Sequence, residues 1–221
     1  MIQSIKILFL KEFKLELRRK SVISGLGLYL LSLIFICYIT FSLRQSSISE
    51  ATWSALFWLV ILFSVINSVA KSFIGENKGL SIYYYSVASP QAIIVSKILY
   101  NTILCFVLSL TGYLLFELFI DNPIQDQLIF ISTLFLTSVG FASSLSLISG
   151  ISAKANNSNI LMAVLSFPLL ISILLMAIRI TKNVLDGLDA SFSYDELFNL
   201  VAINCILSGL AYLLFPYIWR S

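Results

Sequence analysis

The side chains best equipped for chemistry lie in one polar connector, Lys71 to Lys97, between two long apolar runs. Within it Leu80, Tyr83, Tyr84 and Val87 recur at helical spacing, Gly79 can break what precedes them, and Ser89-Pro90 supplies an N-cap followed by the first position of the next helix. This pattern predicts a short helix inside the connector. Its tyrosines, clustered beside Glu76 and Lys78, suit either a protein docking surface or an aromatic belt at a membrane interface. The chemistry on offer is recognition. Glu117 stands near the end of one apolar run, and Arg179 and Lys182 at the end of another. Because a charge at membrane depth is costly without a partner, Glu117 is a candidate partner for Arg179. Arg179 and Lys182 read equally as helix-end cations that stretch toward headgroups.

Bond-making chemistry finds little support. The chain has no histidine. Cys37, Cys105 and Cys205 are odd in number, lie inside apolar runs and lack metal-ligand spacing, so they read as packing residues and no metal site is expected. No convergent nucleophile, base and metal ligands stand deep within the runs, which leaves a hydroxyl-based site on one of the many serines as the only enzymatic reading. The phosphate-cradling pattern G-x-x-x-x-G-K-[ST] is absent, so a nucleotide held in that manner must sit on another chain. Gly75 and Gly79 match G-x-x-x-G only nominally, because Glu-Asn-Lys between them is polar.

The elements that must hold these residues are six apolar spans, about Ile23 to Leu43, Trp53 to Phe73, Lys97 to Phe119, Leu128 to Gly150, Asn159 to Ile180 and Phe198 to Trp219. At about 1.5 Å per residue each crosses a hydrocarbon core of about 30 Å. With 59% apolar and 11% charged residues in 221, little chain remains for a soluble domain. The expectation is a single all-α polytopic membrane domain over residues 1–221. Six crossings put both termini on one side, together with every Lys and Arg except Arg44, Arg179 and Lys182. That asymmetry predicts cytoplasmic termini, and it accounts for the net charge of +3 without a nucleic-acid partner. The first apolar run is longer than a signal-peptide core and lacks a small-x-small cleavage site, so it is expected to stay as a span.

Ahead of it, residues 1–20 place Ile2, Ile5, Phe9 and Phe13 on one helical face and Lys6, Lys11, Lys14 and Arg18 on others, the pattern of a helix lying in the bilayer interface. Two outer connectors, Arg44 to Thr52 and Asp121 to Gln127, hold little more than a turn each, the second marked by Asn122-Pro123. The third, Thr181 to Leu197, carries Asp186, Asp189, Asp195 and Glu196 and is the one outer segment with room for a partner or lid. Ala142, Ser146 and Gly150 recur every four residues and predict close helix approach, and Pro168 predicts a kink in the fifth span.

Taken together, an interfacial N-terminal helix, six spans, Glu76-x-x-Gly79-Leu80, then Ser89-Pro90-x-Ala and Lys97, resemble the CcmB family, the haem exporter protein B family. The likeness runs over essentially the full length and includes the connector Lys154-Ala-Asn-Asn-Ser-Asn and Pro168, whereas Tyr83 to Tyr85 stand where leucines are frequent in other members. It implies an ABC-type permease subunit of cytochrome c maturation in the bacterial inner membrane. A CcmA-like ATPase, holding ATP and Mg, would dock on the cytoplasmic face through Glu76, Gly79, Leu80, Tyr83, Tyr84, Ser89 and Pro90. CcmC-like and CcmD-like membrane subunits and a CcmE-like haem chaperone complete the implied complex, with two permease copies matching two ATP sites. No resident cofactor is expected in this chain; without histidine, haem iron loses its commonest axial ligand. Haem as a transient substrate would meet it through propionates, for which Arg179 and Lys182 are the placed cations.

Two other readings compete. A non-transporting scaffold for maturation proteins is favoured by the sparse intramembrane charge, and the permease of another ABC exporter would share the same architecture.

Overall fold

The computed structural model describes residues 2–18, 20–42, 49–69, 73, 88–120, 122–153, 158–188 and 191–220. Among them seven helices follow in order: α1 (Ile2–Arg18), α2 (Lys20–Ser42), α3 (Glu50–Val69), α4 (Pro90–Ile120), α5 (Gln127–Ser152), α6 (Ser158–Leu185) and α7 (Ser191–Arg220). The last six are long and apolar enough to cross a membrane, as the sequence predicts. The end of the bundle that carries both chain termini is the terminal face, and the opposite end is the far face. The short helix expected between Gly79 and Ser89 falls outside the described residues.

The hub is α5, which packs against α3, α4, α6 and α7. It is buried on every side from Gly140 to Gly150, and its side chains explain why. Glycine, alanine and serine let neighbouring backbones close in where no hydrophobic drive between lipid-soluble helices exists. A Cβ on Gly140 would lie 2.5 Å from Asn204 Oδ1 and 3.0 Å from Ile173, and one on Gly150 would lie 2.8 Å from the Phe215 ring. The predicted stripe Ala142, Ser146, Gly150 is therefore a close-approach surface. Three buried hydroxyls of α5 are satisfied locally, since Thr133, Ser138 and Ser144 donate to the carbonyls of Ile129, Leu134 and Gly140 one turn back. Between helices the bonds are few and specific: Asn204 Nδ2 donates to Leu136 O at 2.8 Å, and Ser143 and Ser208 hydroxyls meet at 2.9 Å. By contrast α2, among its described side chains, buries only Leu30 and Ile34 and turns Leu28, Leu31, Phe35, Ile36 and Ile39 outward, as a lipid-facing helix should.

Several helices outrun the predicted spans. α4 begins seven residues before Lys97, and at about 1.5 Å per residue its length of about 46 Å exceeds the hydrocarbon core, so its ends reach headgroup depth. The outer segment Thr181 to Leu197, expected to have room for a lid, is mostly helix. α6 continues to Leu185, with Thr181, Val184 and Leu185 buried, and α7 resumes at Ser191. Only residues 186–190 remain between them. α6 stops where Gly187 takes φ +64, letting Leu188 N reach back to Asn183 O at 3.1 Å. A side chain at Gly187 would collide with Gln125, whose Nε2 donates to Leu185 O at 3.3 Å, so this turn is fastened to the α4–α5 turn.

The N-terminal helix forms where its pattern predicts one, and it packs along α4. Its inward-turned residues include Ile5, Leu8, Glu12 and Glu16, while Lys6, Ile7, Leu10, Phe13, Lys14 and Arg18 face out. Both acidic groups are turned toward the bundle, and the described basic ones other than Lys11 face away. Cys205 is likewise exposed rather than a packing residue, whereas Cys105 is fully buried.

Candidate functional site

Both described ends of the connector converge on one buried cluster at the terminal face. Phe73, at its beginning, packs with Ile93 and Ile94 of α4, Leu147 of α5, and Ala211, Phe215 and Trp219 of α7; Ala88, at its end, and Leu8 of α1 lie against the same group. This cluster is separate from the main core. Its rings form a short stack, with Phe73 to Phe215 at 5.2 Å and Phe215 to Trp219 at 5.4 Å between centroids. The Phe73 amide donates to Ser149 Oγ at 3.0 Å, which gives a buried backbone donor a partner on α5.

At the other end Ser89 and Pro90 do what their types predict. The Ser89 side chain accepts from Ala92 N at 3.4 Å, its carbonyl accepts from Ile93 N at 3.2 Å, and Pro90 opens α4. A serine cap of this kind contributes about 0.5–2 kcal/mol. The connector is thus anchored to α5 and α7 where it starts and is continuous with α4 where it ends.

Lys97 joins these anchors. It lies about two turns inside α4 with only 4% of its surface exposed. Its Nζ is 3.7 Å from Glu12 Oε1 of α1 and 4.7 Å from the centroid of the Phe73 ring. Lys11 holds the same Glu12 oxygen at 2.9 Å. One turn along α4, Asn101 Nδ2 donates to Ser146 Oγ of α5 at 2.7 Å, so the polar seam runs on into the bundle. A lysine ammonium in an apolar helix packing costs several kcal/mol unless partnered; here a carboxylate and a ring face offset that cost.

Of the residues singled out from sequence, Glu76, Gly79, Leu80, Tyr83 and Tyr84 lie outside the described residues. Glu117, Arg179 and Lys182 are exposed near the far face. They are not brought together. α4 and α6 make no extensive contact because α3 and α5 stand between them. Glu117 Oε1 instead accepts from Asn122 Nδ2 at 3.2 Å, and the same amide donates to Tyr113 Oη at 2.8 Å. Glu12 of α1, by contrast, forms ion pairs with Lys11 and Lys97. Among the described residues no group of three His, Cys, Asp or Glu side chains gathers to hold a metal ion.

Sequence reasoning does not reach Glu12, Phe73, Asn101 and Ser149 as site residues, and it reads Lys97 as an orienting charge and as part of the family resemblance. A signal existed for two of them. Ile5, Leu8, Glu12 and Glu16 share a stripe at three- and four-residue spacing, which sets two acids on an apolar face, and Lys97 is embedded in Ile93-Ile-Val-Ser-Lys-Ile98.

The family model described as CcmB protein matches residues 3–213. The chain belongs to the CcmB family. Membership spans α1, all six membrane helices and the connector, and it makes the chain a multi-pass membrane protein of the ABC permease class in cytochrome c biogenesis. Comparisons with curated proteins and with solved structures gave no match.

Proposed function

We propose that this CcmB-family chain is the permease subunit through which a separate, CcmA-like ATPase drives haem handling or release of a haem-loaded CcmE-like chaperone. In this reading the terminal face is cytoplasmic in a bacterial inner membrane, and ATP and Mg stay on the partner. The chain itself catalyses nothing. CcmC-like and CcmD-like subunits complete the assembly, with two permease copies seating two ATPase chains. Haem is cargo, and the exposed cations Arg179 and Lys182 near the far face are the groups available to its propionates.

One observation carries the reading: both described ends of the connector are fixed to buried groups of α4, α5 and α7. A segment gripped from outside and anchored at both ends transmits force, whereas a floating loop absorbs it. The sequence carries no phosphate-cradling glycine-lysine motif, which supports an engine on another chain. Proline or charge substitution within Ile82 to Tyr85 is expected to detach the ATPase or uncouple its hydrolysis while six-span insertion persists. Unchanged co-purification and activity would overturn the assignment. A scaffold would tolerate a hydrolysis-dead ATPase in a reconstituted complex with the chaperone; the permease reading expects that complex to fail.

A further inference from the structure

We propose that Lys97 is a positioning residue, the joint that fastens α1 and the start of the connector to the base of α4. The inference rests on the reading of the connector as the ATPase seat only for its functional consequence; the joint itself stands on geometry. Three elements distant in sequence meet at one ammonium group. Glu12 arrives from α1 at 3.7 Å, the Phe73 ring from the connector at 4.7 Å, and Lys97 belongs to α4.

The surroundings make the joint selective. Lys97 is nearly inaccessible, so the attraction is screened less than at an open surface. The Phe73 ring that it faces belongs to an apolar cluster with Ile93, Ile94 and Phe215, against which Leu8 of α1 also packs. Glu12 in turn is held by Lys11 on its outer side, which orients the carboxylate across the α1–α4 seam. Glu16 shares the inward face of α1 with Glu12, while the exposed side carries Lys6, Lys14 and Arg18. Docking of α1 therefore combines an ion pair with the apolar contact of Leu8. A displacement of Phe73 by the connector changes the environment of that pair directly, so α1 follows the connector.

The joint is tested in the full-length chain in native membrane vesicles, with Cys37, Cys105 and Cys205 replaced by alanine and a reporter cysteine at Leu8, which packs into the terminal cluster. A soluble maleimide reads the undocking of α1. Glu12→Gln should raise the labelling rate about tenfold, because it removes the charge that a buried partner requires. Lys97→Arg should keep the reporter protected. Lys97→Glu should release it, and the exchange Glu12→Lys with Lys97→Glu should restore protection, an outcome that simple loss of packing does not give. Unchanged labelling in Glu12→Gln overturns the joint and leaves the proposed function standing, since Glu12 lies outside the connector. Failure of the parent chain to retain an ATPase would instead sink the proposed function and leave the joint intact.

Discussion

The two ends of this bundle are held together by different chemistry. Near the far face Phe57 stacks on Trp53 at 5.3 Å and meets Trp58, Phe116 and Phe130 at 5.3–5.5 Å, with Tyr113 on Phe130 at 5.1 Å. The Trp58 indole donates to Thr181 at 2.9 Å, Asp126 caps α5 through Leu128 N and Ile129 N, and Gln125 ties two turns together. Near the terminal face a few rings share the cluster with a buried lysine, an asparagine and serines. Aromatic packing resists deformation because every ring has several close neighbours and no alternative arrangement of equal density. Buried hydroxyl, amide and ion-pair contacts are few and directional, and each is costly to leave unmet. The far end is held by dense ring packing, and the terminal end by a small number of directional polar contacts.

The sharpest way to break that contrast is Phe57→Ala. Phe57 is fully buried among four aromatic neighbours, so truncation should destabilise the bundle by about 3–5 kcal/mol, measured as a lower midpoint in detergent unfolding. Loss below about 1 kcal/mol would mean that the aromatic group is loosely packed and that the two ends do not differ as described. Gly140→Ala comes next. Its methyl group would push against Asn204 Oδ1 and Ile173, and relief requires Asn204 to leave Leu136 O. About 1–3 kcal/mol of destabilisation is expected, and removing the amide as well with Asn204→Ala should recover part of it.

How far the sequence exposes these two ends follows from what each depends on. Span number, the close-approach stripe at Ala142, Ser146 and Gly150, and the Ser89-Pro90 helix start are properties of local composition and spacing, and the structure carries all of them. Helix ends are less legible: hydropathy marks the hydrocarbon core, while Gly187 and the buried Thr181 decide where α6 stops. The joint at Lys97 is the least legible. A lysine at the edge of an apolar run is usually an orientation signal, and only the docking of α1 turns it into a buried partner for Glu12. Membership of the CcmB family fixes the class of the protein and leaves that contact to be found from coordinates.

At the terminal end Ser149→Ala should be mild in stability and larger in function. It removes the hydroxyl that accepts from the Phe73 amide, leaving a buried donor unmet at about 1–3 kcal/mol at most. Since Phe73 begins the connector, the variant should weaken ATPase coupling more than Phe57→Ala does at equal loss of stability. Equal coupling loss at matched stability would erase the functional distinction between the two ends.

The smallest effect is expected across the far rim. Glu117 and Arg179 are both exposed, on helices kept apart by α3 and α5, and Glu117 is engaged with Asn122. In a double-mutant cycle with Glu117→Gln and Arg179→Gln, stability changes should add to within about 0.5 kcal/mol, as for sites that share no partner. A coupling above about 1 kcal/mol cannot arise inside one copy with this helix order. It would require α4 of one chain to meet α6 of another. Repeating the cycle with the purified complex and with the isolated chain separates the cases: additivity in the isolated chain with coupling in the complex would locate a second copy against the far rim, and coupling in both would overturn the helix arrangement.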